Sequence, residues 1–188
     1  MKNFAKYRWF YTSKGTLVVG GKSAEQNDLL LNEIKNSGKR YYIMHTSSPG
    51  SPFSVIIKEP SKIGEGELEE CAIFTACFSQ DWKRKKKTSE IHIFESGQIS
   101  KPSGLKSGSW KVEGKVKKIS VQLGLVLSLQ EDILRAVPEK SAKEKLAFIK
   151  PGDSDKKELV AEIKEIIGKK FSEEEIISAL PAGGIKIC

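Results

Sequence analysis

Apolar residues recur along the first 60 positions of the chain with two different periods, and these periods distinguish strands from a helix. Short apolar runs bounded by turn residues predict four strands, over residues 7–11, 16–19, 41–45 and 53–58. The first two are joined by the polar segment 12–15, which has the composition of a hairpin turn. Apolar residues at helical spacing predict a helix over 24–35.

The remainder of the chain continues this mixture of strands and helices. Its longest periodic segment is 67–86, where apolar residues recur every three or four positions and predict a single helix. Further strands are expected over residues 90–94, 109–112, 116–123 and 125–129. After Pro138 the pattern predicts a strand over 146–150, a helix over 155–167, a short helix after Ser172 and a strand over 185–187.

Together these elements predict an α+β fold. We expect a mixed, mainly antiparallel sheet with two principal helices, followed by a C-terminal extension in the order strand–helix–helix–strand (βααβ). The composition changes after Pro138, so we place the main domain at residues 1–137 and the extension at 138–188. Such a short extension buries too little surface to be stable alone, and we expect it to dock on the main domain.

The composition excludes several classes of protein. The 188 residues contain no apolar run that approaches the ~20 residues needed to cross a bilayer. The basic region shows no long amphipathic helix with bulky apolar anchors, so no membrane partner is expected. The N-terminus lacks the apolar core of a secretory signal, which favours a cytoplasmic protein. None of the three cysteines forms a Cys-x-x-Cys pair, and we interpret Cys71 and Cys77 as buried thiols. The sequence predicts neither a metal site nor a cofactor.

The positive charge is concentrated in one part of the chain. Residues 83–118 contain eleven basic and three acidic residues, and this excess equals the whole net charge of +8. A concentrated positive field favours a polyanionic partner. A lysine-rich surface that serves only solubility is the alternative.

A glycine pair lies between the second predicted strand and the first helix. Gly20 and Gly21 are followed by Lys22, and Ser23 with Gln26 has the spacing of a helix capping box. A helix N-terminus directs backbone N–H groups and the positive end of the helix dipole outward, which suits a phosphate. A bare strand–turn–helix corner would show the same pattern.

Two loops carry further candidate chemistry. His45 ends a predicted strand and precedes the kinked segment that contains Pro49, Gly50 and Ser51. This histidine could bind a phosphate or a ribose, stack on a base, act in catalysis, or only hold the loop. The second loop, 98–108, alternates lysine, serine and glycine, a composition that suits phosphate contacts or a flexible surface loop.

These segments, in this order, resemble the RNA-binding R module of the NFACT proteins. NFACT proteins are ribosome-quality-control factors whose bacterial members were first described as fibronectin-binding. The resemblance covers about residues 4–125. It is carried by Arg8-Trp9-Phe10, Gly20-Gly21-Lys22 with Asn27, His45-Thr46, Pro49-Gly50-Ser51, Ser79 with Trp82, and Ile99-Ser100-Lys101-Pro102-Ser103-Gly104.

The chain also departs from the family pattern. Tyr41 and Tyr42 stand where an acidic residue often precedes the strand that leads to the histidine. Full-length members carry an N-terminal domain and a coiled-coil arm, which these 188 residues do not contain. The resemblance therefore implies a free-standing R module with its own extension, and it does not imply that the chain adds tails to stalled peptides.

The resulting hypothesis is a non-catalytic module that binds structured RNA, either tRNA or rRNA, with no DNA partner. Its expected contacts are Arg8, Gly20, Gly21, Lys22, Asn27, His45, Pro49, Gly50, Ser51, Lys83, Arg84, Lys85, Lys86, Lys87 and Lys101. An enzyme or enzyme subunit of tRNA modification or RNA processing that uses His45 is one alternative. A protein adaptor in ribosome rescue is another. The sequence does not define the oligomeric state.

Overall fold

The computed structural model of the protein describes residues 1, 3–168 and 170–188. The strands of this part are β1 (Arg8–Tyr11), β2 (Leu17–Gly20), β3 (Tyr42–Thr46), β4 (Ser54–Ile56), β5 (Thr88–Glu95), β6 (Ile99–Ser100), β7 (Lys111–Val112), β8 (Lys117–Gln122), β9 (Leu125–Gln130), β10 (Ile133–Val137), β11 (Ala147–Ser154) and β12 (Ile185–Ile187). The helices are α1 (Ala24–Asn36), α2 (Glu65–Cys77), α3 (Gln80–Lys83), α4 (Val160–Ile167) and α5 (Glu173–Ala179). This mixture of helices and antiparallel strands confirms the predicted α+β class.

Six strands form the main sheet in the order β1-β2-β4-β3-β5-β8, and every neighbouring pair is antiparallel. The predicted first hairpin is confirmed, because Arg8 pairs with Gly20 and Tyr11 pairs with Leu17. Successive side chains of a strand point to opposite faces of a sheet. The apolar runs of the central strands therefore supply both faces, and both are covered by helices.

One principal helix packs on each face of the main sheet. Trp9 and Val19 lie in a buried cluster with Leu30 and Leu31 of α1. Residues of the opposite parity in the same strands, such as Phe10, pack with α2 on the other side. The apolar core on the α2 side continues without interruption into the C-terminal part of the chain.

The C-terminal residues complete a second, four-stranded sheet with the order β10-β9-β11-β12. The strand–helix–helix–strand order of β11, α4, α5 and β12 is the expected one, and β11 pairs with β9. The indole Nε1 of Trp82 donates a hydrogen bond to the Gly184 carbonyl at 3.1 Å. These contacts hold the C-terminal part against α3. The boundary after residue 137 stays a prediction.

The long helix predicted over residues 67–86 is wrong in its extent. Helix α2 ends at Cys77, and α3 starts anew at Gln80. The side chain of Ser79 causes the break, because its Oγ accepts a hydrogen bond from the Asp81 N–H at 3.0 Å and caps α3. The apolar spacing continues across the break, so periodicity alone could not reveal it.

The turn between β9 and β10 covers the outer edge of the main sheet. Gln130 lies beside the edge strand β1, and its side-chain oxygen accepts from the Tyr11 N–H at 2.7 Å. Its amide nitrogen donates to the Tyr11 carbonyl at 2.8 Å. The side chain thereby pairs with Tyr11 as a neighbouring strand would.

Candidate nucleic-acid interface

Most of the segments that carry the sequence motifs surround one cleft of about 680 Å³, whereas residues 99–104 do not line it. Its walls are the N-terminus of α1, the end of β3 with the following loop, α3 and the segment 107–112. Arg8, Lys22 and Lys83 line it, and no aspartate or glutamate is found among the described residues of its wall. The cleft is therefore a pocket with positive potential.

Close packing at the base of this cleft requires glycine at position 21 and leaves little room for a side chain at position 20. A Cβ atom added at Gly21 would lie 2.2 Å from Oδ1 and 2.8 Å from the backbone N of Asn27. At Gly20 it would lie 3.3 Å from Oγ of Ser54. Asn27 is buried, and its Oδ1 accepts the Phe53 N–H at 3.1 Å. Asn27 thus ties α1 to the strand region and fixes the corner that presents Lys22.

The capping of α1 differs in one detail from the prediction. The Ser23 Oγ accepts from the Gln26 N–H at 3.2 Å, as expected for an N-cap. The Gln26 Oε1, however, accepts from the Lys22 N–H at 3.0 Å instead of from the Ser23 N–H. The Lys22 backbone donor is therefore already used, and the charged side chain of Lys22 is what it offers to an anion.

Arg8 and Lys22 are cations without a carboxylate partner in the described part of the chain. The Arg8 guanidinium stacks 4.1 Å from the centre of the Phe78 ring. Burial, and then repulsion from Arg135, lower the pKa of Arg8 to about 10. Burial, repulsion from Arg8 and repulsion from Arg135 likewise lower the pKa of Lys22. Both side chains remain charged at neutral pH, and an incoming anion would relieve the repulsion.

His45 stands on β3 directly opposite His92 of β5. Its Nδ1 donates to the Thr46 carbonyl at 2.7 Å, and its ring packs on Phe53 with centroids 4.5 Å apart. Burial lowers the pKa of His45, which favours the neutral imidazole. With the proton on Nδ1, Nε2 is left as an acceptor, suited to a ribose hydroxyl or a base N–H. A phosphate would require the protonated ring.

The loop after β3 is held in place by its own polar groups and by α3. Gly50 has φ +95°, and a Cβ there would lie 2.5 Å from the Gln80 side chain. Its carbonyl accepts the Gln80 N–H at 2.9 Å. The Ser51 Oγ accepts the Thr46 N–H at 3.0 Å. The Pro49-Gly50-Ser51 segment is therefore a fixed wall of the cleft.

The basic run over Lys83, Arg84, Lys85, Lys86 and Lys87 divides into three groups. Lys83 reaches the cleft. Three others face carboxylates: Lys86 lies 2.8 Å and Arg84 3.9 Å from the buried Asp81, and Lys85 pairs with Asp153. Lys87 makes no ion pair within the described residues, and it lies outside the cleft wall. The run is thus less available to an anion than its composition indicates.

Lys101 lies outside the cleft wall and is bound to Asp28 of α1. The same carboxylate accepts from the Trp110 Nε1–H at 2.8 Å and from the Gly108 N–H at 3.0 Å. Asp28 thus fastens the segment 101–110 to α1. Lys101 therefore helps to hold Trp110 at the cleft through their shared partner Asp28.

Sequence reasoning missed the aromatic lining of the cleft. The Phe78 ring stacks against the Arg8 guanidinium, and Trp110 forms part of the wall beside the segment 107–109. Phe78 was part of an apolar helical pattern and therefore indicated a core position. For Trp110, the signal was its place directly after a run of serine, glycine and lysine. Among the described residues, no cluster of three His, Cys, Asp or Glu could hold a metal ion.

Known proteins are similar to this chain in sequence and in fold. The archaeal Rqc2 homolog aRqcH of Methanocaldococcus jannaschii is 30% identical over 99% of the chain, which spans 29% of that protein. Ribosome quality control complex subunit NEMF of Homo sapiens is 30% identical over 60% of the chain and 11% of its own length. The chain therefore spans less than a third of these relatives.

The solved C-terminal part of the fibronectin/fibrinogen-binding protein from Streptococcus suis has a similar fold. Its TM-score is 0.56 at 22% identity, over 62% of this chain and 46% of that one. In the described part of the chain, no helix is both long and apolar enough to cross a membrane. The family described as NFACT protein RNA binding domain matches residues 6–114, and these include β1, the glycine corner, His45 and Trp110. The chain belongs to the NFACT protein RNA-binding domain family.

Proposed function

We propose that this protein binds structured RNA through the cleft and acts in ribosome-associated quality control in the cytoplasm. The observation that carries the proposal is the wall of the cleft, where Arg8, Lys22 and Lys83 stand without a carboxylate among the described lining residues. Cations left unpaired in a recess form a binding site for phosphates. The family supports the choice of RNA, and the similarity to Rqc2 and NEMF proteins supports a role in ribosome quality control.

The chemistry of the cleft suits an unstacked nucleotide better than a regular duplex. Aromatic rings, hydroxyl groups and a neutral histidine stand together there, and such groups recognise bases and the 2′-hydroxyl of single-stranded segments. We assign Nε2 of His45 to a ribose hydroxyl or base donor, and the three cations to phosphates. A tRNA or rRNA loop offers both parts in one ligand.

We propose further that the site is non-catalytic. The hydrogen bond of the His45 ring goes to a backbone carbonyl, and no carboxylate orients this ring within the described residues. A general base in a nucleolytic or modifying site needs the proton of a nucleophile or substrate within reach and a pKa near the working pH. Burial instead lowers the pKa of His45.

RNA-binding titrations test this proposal. Fluorescence anisotropy with a labelled tRNA and a labelled rRNA hairpin gives the Kd over a range of salt concentrations. Lys22→Gln and Lys83→Gln each remove one phosphate contact, which costs about fivefold in affinity near 0.15 M salt. The matched control is Lys35→Gln, at the far end of α1 and about 12 Å along the helix from Asn27 of the cleft wall.

The outcomes separate the alternatives. Weakening by both cleft variants but not by the control supports the cleft, and three contacts imply a slope of log K against log salt of about −2 or steeper. Binding by the cleft variants that equals the wild type would refute the proposed surface. RNA turnover that is lost in His45→Ala would refute the non-catalytic assignment.

A further inference from the structure

The turn that leads into β12 lies beside the end of α3. We call residues 181–184 the C-terminal turn. A Cβ atom added at Gly183 would lie 3.0 Å from Cγ and 3.2 Å from Cα of Lys83. The indole N–H of Trp82 donates to the Gly184 carbonyl at 3.1 Å, so consecutive residues of α3 contact consecutive residues of the turn. The C-terminal turn is therefore packed directly against the residue that brings a positive charge to the cleft.

Close contact between two glycines fixes the C-terminal turn from its other side. A Cβ at Gly184 would lie 2.3 Å from the Gly152 carbonyl oxygen, and one at Gly152 would lie 2.4 Å from the Ile185 carbonyl carbon. The Gly152 N–H donates to the Gly184 carbonyl at 3.2 Å, and the same oxygen accepts the Trp82 N–H. One carbonyl thus joins the turn to both β11 and α3, and the position of the turn is fixed.

The C-terminal turn also forms part of the cleft wall. Ala182 is exposed and lines the cleft together with Lys83. Among the described lining residues, Ala182 alone lies outside residues 6–114, the range of the family match. Its side chain is a single methyl group without charge or hydrogen-bonding atoms. The wall beside Lys83 is therefore open to a large ligand, and residue 182 is next to that ligand.

We propose that the C-terminal turn is part of the RNA-binding surface, where it positions Lys83 for a phosphate contact and borders the path of the RNA at Ala182. The inference rests on the proposed function. It gives the part of the chain beyond the family match a role in binding, in addition to its packing on the main domain. Because a phosphate that contacts Lys83 also lies near Ala182, a charge placed at position 182 should change RNA affinity with a definite sign.

A charge series at position 182 tests whether the turn borders the RNA. Ala182→Glu should weaken RNA binding about two- to threefold near 0.15 M salt, the effect of one unit charge about 6 Å from a phosphate in screened water. Ala182→Lys should tighten RNA binding by a similar factor and steepen the slope of log K against log salt by about 0.7–0.9. The matched controls are Ala161→Glu and Ala161→Lys, at an exposed position of α4 outside the cleft wall. Both should bind RNA like the wild type.

A double variant tests whether the turn positions Lys83. Gly183 has φ +116°, and an added Cβ would crowd Lys83, so Gly183→Ala should displace the turn or the lysine. We expect this variant to weaken RNA binding by up to about fivefold, the loss of one phosphate contact. The added Cβ meets Cα, Cβ and Cγ of residue 83, which glutamine retains. In the Lys83→Gln background, Gly183→Ala should therefore cost the same stability in urea unfolding but no further RNA affinity.

The outcomes separate the C-terminal turn from the cleft as a whole. RNA affinity that fails to change in opposite directions with the two charges at position 182, while Lys22→Gln and Lys83→Gln bind weakly, would overturn the inference alone. An equal loss of affinity from Gly183→Ala in the wild-type and Lys83→Gln backgrounds would overturn the positioning of Lys83. Absence of RNA binding by the wild type would overturn the proposed function and this inference with it.

Discussion

Substitution of Gly21 by alanine tests whether close packing shapes the corner that presents Lys22. The added Cβ would lie 2.2 Å from the Asn27 Oδ1 and 2.8 Å from the Asn27 N. If the Asn27 side chain turns away, the buried Phe53 N–H loses its acceptor at 3.1 Å. Leaving a buried donor unsatisfied costs about 1–3 kcal/mol. Residual overlap with the backbone N costs about another 1–3 kcal/mol. We expect Gly21→Ala to destabilise the protein by about 2–6 kcal/mol.

Urea unfolding followed by tryptophan fluorescence measures this effect. The control is Gly66→Ala, at an exposed position of α2 where an added Cβ meets no atom within 4 Å. This control should stabilise the protein by about 0.5–1 kcal/mol, because alanine favours a helix over glycine. In the double variant Gly21→Ala/Asn27→Ala the Oδ1 clash is gone, so the two losses should be less than additive. A loss below about 1 kcal/mol for Gly21→Ala, or strict additivity, would refute the packing argument.

Three further predictions concern the supports of the cleft. Asp28→Ala should destabilise the protein by about 2–4 kcal/mol, because several donors lose their shared acceptor. It should also accelerate amide hydrogen exchange in segment 101–110, and unchanged exchange would contradict this role. Because the pKa of His45 is lowered on folding, the unfolded state takes up its proton first as the pH falls below about 6.5. The wild type should therefore lose stability there, by at most about 1.4 kcal/mol per pH unit, relative to His45→Gln. Parallel pH profiles in urea unfolding would exclude this effect. Lys86→Met should cost about 1–2 kcal/mol because a buried carboxylate loses its partner, whereas Lys87→Met should be neutral; equal unfolding midpoints would disprove the assignment.

The parts of the fold that the sequence predicted are those set by neighbouring residues. The hairpin of β1 and β2, the start of α1 at Ser23 and the C-terminal order of elements follow from local patterns and turn residues. The break at Ser79 is local too, but it lies inside an uninterrupted apolar period and so remained hidden. The sequence also could not show how the second sheet joins the core of the first.

The candidate site was predictable in its segments but not in its charges. The glycine corner, His45 and the loop at Gly50 do line one cleft. In the run 83–87, Lys85 pairs with Asp153, which lies far away along the chain, and only the fold shows that Lys86 and Arg84 lie near the buried Asp81. The sequence also could not reveal the opposite case, a cation without an ion-pair partner among the described residues. Arg135 belongs to a part of the sequence with balanced charge, and only the fold shows that it stands without an ion-pair partner in the described residues.

The side chain of Gln130 has a consequence for which fragments of this protein can stay monomeric. It occupies both backbone groups of Tyr11 on the exposed edge of β1. A bare edge of this kind is a template on which other chains add as strands, leading to aggregation. A fragment limited to residues 6–114 would uncover β1 and would also lose β8 from beside β5 at the opposite edge. The residues beyond the family match thus protect the sheet from self-association, and fragments for structural work should keep them.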